Sequence, residues 1–250
     1  MRRWAIALLF RESLNTSGPG SLFVYYETAL SSIYLDTIIR SFIFGVSTTA
    51  VSLVLAYSLA YYIVFHSKYK LLLLGLVILP FWVAYIIRYL GIQLFFSPTG
   101  PFVRIFGSDL GVLFSPIGVI IGLASALLPF AILPIYNSLN SIDEEMIDAS
   151  HVMGAGRLRT FRSVILPLSL SGVVAGGLIE FILATGSFLA PAILGGPGET
   201  MIANLIANTF SSAFNLELAS ALAMIYTVVL TVVLLVFNSV IDIGEVLGDL

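Results

Sequence analysis

The ionisable residues that could do chemistry occur in two places in this chain. Most of them lie in one charged segment, and a few lie singly inside long apolar runs. The charged segment is residues 141–172, with carboxylates in its first half, arginines in its second and glycines between them. A polar segment of this kind between two membrane spans suits a soluble partner. It would equally suit a solvated connector whose arginines only fix the topology of the chain. The residues alone leave both interpretations open.

Inside the apolar runs, the ionisable candidates are Glu180 and Arg88. An ionisable side chain in a membrane interior is energetically expensive and is therefore a candidate for solute contact. Glu180 could meet a cationic group of a solute, pair with Arg88, or accept a hydrogen bond from a tyrosine or asparagine. Arg88 could gate a pathway or extend its guanidinium group to the interface. Tyr85 and Tyr89 could offer aromatic faces to an amine, or belong to an interfacial aromatic belt.

No residues predict a reaction centre, so the chain is not expected to be an enzyme and no catalytic residue is assigned. Cysteine is absent, which excludes disulfides and thiolate nucleophiles, and the two histidines, His66 and His151, are far apart. No metal site and no cofactor are therefore expected. The phosphate-binding pattern GxxxxGK[ST] is also missing, so ATP is not expected to bind this chain.

Composition predicts the class of protein. Hydrophobic residues make up 59% of the chain, charged residues only 10%, and the mean hydropathy is +1.06. Soluble domains carry about 25% charged residues, so the sequence predicts an integral membrane protein embedded in a lipid bilayer. The net charge of −3 is thinly spread and indicates no nucleic-acid partner.

Five apolar stretches are long enough to cross the membrane, since a spanning helix needs roughly 20 apolar residues. They are residues 41–65, 71–96, 116–139, 168–190 and 219–241. The predicted fold class is therefore all-α, with about five transmembrane helices.

Basic residues in the short loops set the orientation. Lys68 and Lys70 follow the first span, and three arginines lie between the third and fourth, so both loops are expected in the cytoplasm. This arrangement predicts an external N-terminal segment, 1–36, and a transmembrane domain, 37–250, with a cytoplasmic loop at 140–167. The N-terminal segment fits less well because it also carries arginines. Its apolar piece, 4–10, would reach only ~10 Å as a helix, so it lies at the interface or stands where longer relatives have another span.

The cytoplasmic loop reads as a helix-turn-helix. Ser141 and Glu144 have the spacing of a capping box, which predicts the start of the first helix. Either Gly154 or Gly156 could take the left-handed conformation that ends it. The second helix is expected to place Leu158, Phe161 and Ile165 on one side: these three residues share a helical face.

The residue spacing in this loop resembles the signature of a known protein family. The run Asp148-Ala149-Ser150 is followed after three residues by Gly154, then after nine by Val164, and after one more by Leu166-Pro167. This spacing resembles the signature of ABC-importer permeases: Glu-Ala-Ala, three residues, Gly, nine residues, Ile, one residue, Leu-Pro. The replacements are conservative in size or charge. Residues 76–82, with Arg88 downstream, and residues 193–206 resemble the spermidine/putrescine branch, and the likeness covers essentially 26–243.

The resemblance implies a fold, partners and a location. It implies the type I ABC-importer permease fold, in a bacterial or archaeal cytoplasmic membrane. The loop helix would dock on a cytoplasmic ATP-binding subunit, and a second permease subunit, a paralogue in relatives of this branch, would complete the pathway. An extracytoplasmic solute-binding protein would deliver the solute. By position, Asp148, Ala149, Ser150 and Gly154 would belong to the docking element, while Leu166 and Pro167 would join it to the next span.

The expected function is therefore import of a small solute, a polyamine or related amine, driven by ATP hydrolysis on a partner subunit. A self-contained secondary transporter or channel is the alternative. That alternative predicts internal repeats with broken helices in matched positions, and no convincing repeat is present. The external segment 191–198, rich in glycine and proline, is expected to be non-helical and to precede a short surface helix over 201–210.

Overall fold

The computed structural model describes Glu12 and residues 24–108 and 110–240, and within these ranges the chain is helical and contains no strand. Helices suit this apolar sequence because each backbone polar group is satisfied within its own segment. In chain order the helices are α1 (Val24–Ala29), α2 (Ser32–His66), α3 (Lys70–Trp82), α4 (Tyr85–Phe95), α5 (Pro101–Phe106), α6 (Pro116–Asn140), α7 (Glu144–Val152), α8 (Arg157–Leu168), α9 (Leu170–Thr185), α10 (Leu189–Leu194), α11 (Ile202–Ser211) and α12 (Leu216–Val240).

Three helices, α2, α6 and α12, are each long and apolar enough to cross a membrane. Two further spans are broken: α3 and α4 meet at a bend of 93°, and α8 and α9 at a bend of 59°. Counting each bent pair as one span gives five, by length and composition. The all-α prediction with about five spans is confirmed.

The second span breaks for a local reason. Pro80 lies in a 3-10 turn, Leu79–Trp82, and Val83 then adopts extended backbone angles, φ −88° and ψ 125°. An extended residue cannot continue the α-helical hydrogen-bond ladder, so α4 starts afresh in a new direction. Composition predicted one apolar run over 71–96, but it could not reveal that the run is divided.

Several element bounds differ from those expected. Helix α2 starts at Ser32, inside the segment assigned to the N-terminal region, and its 35 residues span about 50 Å. The segment 191–198 was expected to be non-helical, but its first part belongs to α10, so that prediction was wrong there. The short helix expected over 201–210 is present as α11. The apolar piece 4–10 and the acidic tail lie outside the described residues.

Contacts divide the chain into two units. The first contains residues 24–44, 89–120 apart from position 109, and 185–240 among those described. Within it, α1 and α11 pack against α12 around Ala29, Ile202 and Leu222, all fully buried. The backbone N–H of Ile202 also donates to Ser41 Oγ at 2.8 Å. Helix α11 is therefore packed into its unit and does not lie free on the surface.

The second unit contains residues 45–88 and 121–184. Small residues let its helices approach closely, which suits packing between apolar helices in a membrane. A β-carbon at Gly172 would lie 2.5 Å from the Pro134 carbonyl oxygen, and one at Gly176 would lie 2.8 Å from that of Ala131. Helices α6 and α9 thus meet backbone to backbone. The charged loop, Glu180 and Arg88 all belong to this unit.

Candidate functional site

The charged loop begins at the end of α6 and contains α7 and α8. Glu144 and Glu145 occupy the first turn of α7, where negative charge suits the helix dipole. The capping-box prediction was wrong: the residue before the helix is Asp143, and its side chain makes no capping hydrogen bond. Ser141 instead donates from Oγ to the Ser138 carbonyl at 2.9 Å. The serine hydroxyl completes the preceding helix and is not available to start the next one.

A left-handed residue ends α7, and it is Gly154, with φ +82°. The Ala155 N–H donates to the Ser150 carbonyl at 3.1 Å across this turn, as in a glycine-terminated helix. Gly156 has φ −73° and ψ 165° and simply precedes α8. Space is not the constraint, because a β-carbon at Gly154 would meet nothing within 4 Å. Only the backbone conformation calls for glycine there.

Gly154 and Gly156 offer a matched pair of substitutions. We expect Gly154→Ser to destabilise the α7 terminus by about 1–2 kcal/mol, because an L-residue is strained in the left-handed region. Gly156→Ser should be tolerated, since serine is a favoured residue before a helix. Hydrogen–deuterium exchange across residues 144–165 measures the difference. Equal exchange in both variants would show that the left-handed turn does not hold α7 in place.

The two loop helices are tied together and to the second unit's core. Ser150 Oγ and Thr160 Oγ1 lie 2.9 Å apart, and Thr160 is almost fully buried. The Phe161 ring then stands edge-on to Tyr57 and Tyr61 of α2, with centroids 5.9 and 5.7 Å away. The loop is therefore a packed appendage of the membrane helices.

The expected apolar side of α8 is formed only in part. Phe161 and Ile165 pack into the core of the second unit, in agreement with the prediction. Leu158 does not join them, because 64% of its side chain surface is exposed. A π-helical turn, Phe161–Ile165, follows Leu158 and changes the register of the helix. The inserted residue of a π turn shifts which side chains share a face.

A serine-rich contact joins α2 and α6 to the bend between α8 and α9 and was not predicted from the sequence. Ser169 is fully buried at the bend between α8 and α9, and its Oγ lies 2.9 Å from the Tyr57 hydroxyl. Ser138 Oγ donates to the Leu168 carbonyl at 3.3 Å and lies 3.1 Å from Ser171 Oγ. The detectable signal was the pair of serines just after Pro167, at the start of an otherwise apolar run.

The outer surface of the loop is open. Asp148 and Ala149 are exposed, and no residue in the described part of the chain forms a hydrogen bond or ion pair with Asp148. Val152 and Met153 are 88% and 87% exposed. A shallow groove of about 570 Å³ lies along α8. Its lining residues are Gly156, Arg157, Leu158, Arg159, Arg162 and Ser163. The loop thus presents acidic, apolar and basic surface without an internal partner.

Glu180 lies inside the second unit with none of its surface exposed. Neither carboxyl oxygen has a hydrogen-bond partner among the described residues, so the pairing with Arg88 is not formed. The neighbouring polar group is the Ser52 hydroxyl of α2, which interacts with the carboxyl group but is outside hydrogen-bonding geometry. The hydroxyls of Thr48 and Thr49 are likewise buried without a partner. We call the Glu180 carboxyl group and the neighbouring Ser52 hydroxyl the carboxyl–hydroxyl cluster.

Arg88 turns inward. Its Nη1 donates to the main-chain carbonyls of Ser125, at 3.2 Å, and Ala126, at 3.4 Å. The guanidinium carbon lies 4.9 Å from the centroid of the Tyr85 ring. The structure therefore joins Arg88 to Tyr85 and to the main chain of α6. Tyr89 is only 3% exposed, so it is not an open aromatic face in this conformation.

The apolar helices and the polar loop define a helical membrane protein, and comparison with known proteins shows its family. Residues 35–245 match the family described as binding-protein-dependent transport system inner membrane component. The chain belongs to this family. It is therefore a permease component of the inner membrane and not an enzyme. Membership of this family also excludes the alternative of a self-contained secondary transporter.

Individual relatives agree with that assignment. The chain is 32% identical to the spermidine/putrescine transport system permease protein PotB of Escherichia coli over 187 residues, covering 72% of this chain and 68% of that protein. It is 32% identical to PotB of Haemophilus influenzae over 209 residues, covering 80% and 73%. A bacterial alginate ABC transporter, crystallised with an alginate-bound periplasmic protein, matches with a TM-score of 0.75 at 19% identity, covering 95% of this chain and 86% of that one. The last comparison shows the type I importer permease fold.

Proposed function

We propose that this permease takes up a polyamine or related small amine, and that a separate ATP-binding subunit drives it through the 140–167 loop. The exposed α7 surface around Asp148 carries the first half of the proposal. Asp148 and Ala149 are exposed, Asp148 has no hydrogen-bond or ion-pair partner among the described residues, and the helix that carries them ends before the left-handed Gly154. A cleft on the ATP-binding subunit can seat the helix closely at Ala149, and a basic group there can pair with Asp148.

The same loop is built to transmit force. Leu166 and Pro167 precede the bend at Ser169, where α9 begins. The Tyr57–Ser169 contact and the Phe161 ring packing connect the loop to α2 as well as to α9. A displacement of α7 by ATP binding to the partner would therefore move two membrane helices together. In thermodynamic terms, the ATP-loaded subunit shifts the balance between two conformations of the permease.

The carboxyl–hydroxyl cluster supports the choice of an amine. A buried carboxyl group without a hydrogen-bond donor is unfavourable, and so is a buried hydroxyl. An ammonium group supplies a positive charge and three N–H donors, which the Glu180 carboxylate and the Ser52 hydroxyl can accept. The likeness to proteins named spermidine/putrescine permeases points to the same class of solute. Arg88, Tyr85 and Tyr89 do not join this cluster.

The proposed assembly contains three further subunits. The family description names a binding-protein-dependent system, so a solute-binding protein is expected to deliver the amine from outside. A second permease subunit is expected to complete the pathway, and a chain region of 98 residues is 30% identical to the permease protein PotC of Escherichia coli. We therefore propose a paralogous second permease.

Purification with the co-expressed subunits tests the proposal. The assembled complex would be placed in proteoliposomes containing ATP, and each candidate solute would be offered on the solute-binding protein. We expect spermidine or putrescine to stimulate ATP hydrolysis and to accumulate. Absence of a co-purifying ATP-binding subunit would refute the coupling proposal. Stimulation only by an anionic solute would leave coupling intact and refute the amine assignment.

A further inference from the structure

Pro129 leaves a gap in the main-chain hydrogen bonding of α6. A proline has no N–H, so the carbonyl four residues earlier loses its intrahelical donor. For Pro129 that carbonyl belongs to Ser125, which lies in the apolar body of the span. An unpaired carbonyl in a membrane interior is unfavourable, and other groups must satisfy it.

Arg88 fills that gap. Its Nη1 donates to the Ser125 carbonyl at 3.2 Å, and the Ala126 carbonyl lies 3.4 Å from the same nitrogen. Arg88 therefore donates to the same Ser125 carbonyl that lacks a helical donor because of Pro129. Position 88 is on α4, directly after the 93° break, so the donor comes from a different span.

The ring of Tyr85 completes the arrangement. Tyr85 starts α4 and lies one turn before Arg88, with its centroid 4.9 Å from the guanidinium carbon. An aromatic face close to a guanidinium group favours the cation, and here it helps to keep the charge beside α6. Nε and Nη2 of Arg88 are buried without an acceptor among the described residues. Among its nitrogens, only Nη1 forms hydrogen bonds within the described chain, and both acceptors are main-chain carbonyls.

We propose that Arg88 is a positioning residue, which replaces the main-chain donor missing at Pro129 and thereby fixes the start of α4 against the kink of α6. Two interruptions of regular helix, the break before α4 and the proline in α6, are thus joined by one side chain. The proposal assigns Arg88 a role in helix geometry and none in solute contact. It goes beyond the proposed function and does not depend on which solute is carried.

A suppressor experiment tests this role. Arg88→Met keeps an unbranched apolar stem but removes every N–H donor. We expect it to lower solute uptake by the assembled complex at least about tenfold, and to lower the complex's melting temperature, because a buried acceptor is left unpaired. Adding Pro129→Ala should restore most of both, since alanine returns an N–H to the Ser125 carbonyl. Arg88→Lys should fall between, as it keeps one cationic donor group.

Pro134 provides the matched control, because it is the other proline inside α6. Pro134 deprives the Phe130 carbonyl of its helical N–H donor, and Arg88 forms no hydrogen bond with that carbonyl. Pro134→Ala should therefore not rescue Arg88→Met. Rescue by both alanine variants would indicate a general benefit of removing proline and would overturn the proposal. So would failure of Pro129→Ala to rescue, or an Arg88→Met protein as active and stable as wild type. If Arg88→Met does not assemble, assembly of Arg88→Met/Pro129→Ala is the deciding measurement. Because melting temperature needs no solute, a wrong solute assignment leaves this test unaffected.

Discussion

Replacing Asp148 by lysine is expected to uncouple ATP hydrolysis from solute uptake in the reconstituted transporter. The side chain is exposed on α7 and has no partner within the described chain. Reversing its charge would oppose the basic group proposed on the ATP-binding subunit, and like charges facing each other at an interface weaken association. We expect uptake per ATP hydrolysed to fall at least about tenfold. Paired measurements of phosphate release and solute accumulation give this ratio directly.

Asp143 supplies the control with the same change of charge. It is exposed, precedes the same helix and makes no capping hydrogen bond, but it lies away from the Asp148 face. Asp143→Lys should keep coupling close to wild type. Membrane insertion of both variants, followed by protease protection, should be unchanged. Normal coupling in Asp148→Lys, or equal loss in the two variants, would remove Asp148 from the docking contact.

Some local features of the loop were readable from the sequence, but the start of α7 and the apolar face of α8 were not predicted correctly. Composition separated the polar segment from the apolar runs, and the two glycines restricted where α7 could end. The sequence could not choose between Gly154 and Gly156, because either could adopt a positive φ. The choice depends on how α8 packs, with Thr160 buried beside Ser150. Packing of this kind joins residues through three-dimensional contacts that a linear pattern does not encode.

Contacts between distant spans could not be predicted from the sequence. Arg88 was expected at the membrane interface or paired with Glu180. In the structure it donates to the main-chain carbonyl of Ser125. Pro129, 41 positions after Arg88, leaves that carbonyl without its helical donor. Ser169 and Tyr57 are 112 positions apart and meet at a bend. Apolar periodicity is weak where every face of a helix is apolar, so it cannot show which faces meet. The sequence therefore nominated candidate residues but could not give their contacts.

Glu180 illustrates that difference. Its presence in an apolar run was sufficient to nominate it. The hydroxyl group beside it belongs to Ser52 of α2. Serine is common in membrane helices, so its position in the sequence alone indicates no site. Helices α2 and α9 pack closely at Gly177, where a β-carbon would lie 3.2 Å from Leu53, and this contact between distant spans cannot be read from the sequence.

Replacing Glu180 by glutamine should abolish most amine uptake while leaving the transporter assembled. Glutamine keeps the size and one acceptor oxygen, so the variant removes the negative charge and little else. Losing one partner of a buried charged pair costs about 2–5 kcal/mol, which corresponds to a roughly thirty-fold or larger fall in uptake of spermidine or putrescine. Ser52→Ala should have a smaller effect in the same direction, because it removes one uncharged acceptor beside Glu180.

Glu199 allows the same substitution outside the cluster. Its Oε2 accepts the Gly196 N–H at 2.8 Å, an interaction that a glutamine amide oxygen can keep. Glu199→Gln is therefore expected to transport amines at close to the wild-type rate. Initial rates of labelled-amine uptake, normalised to the amount of assembled complex, compare the two variants. Equal uptake by Glu180→Gln and wild type would mean that the solute's ammonium group does not meet this carboxylate. Equal loss in Glu180→Gln and Glu199→Gln would also refute the assignment, because only one of the two carboxylates lies in the cluster.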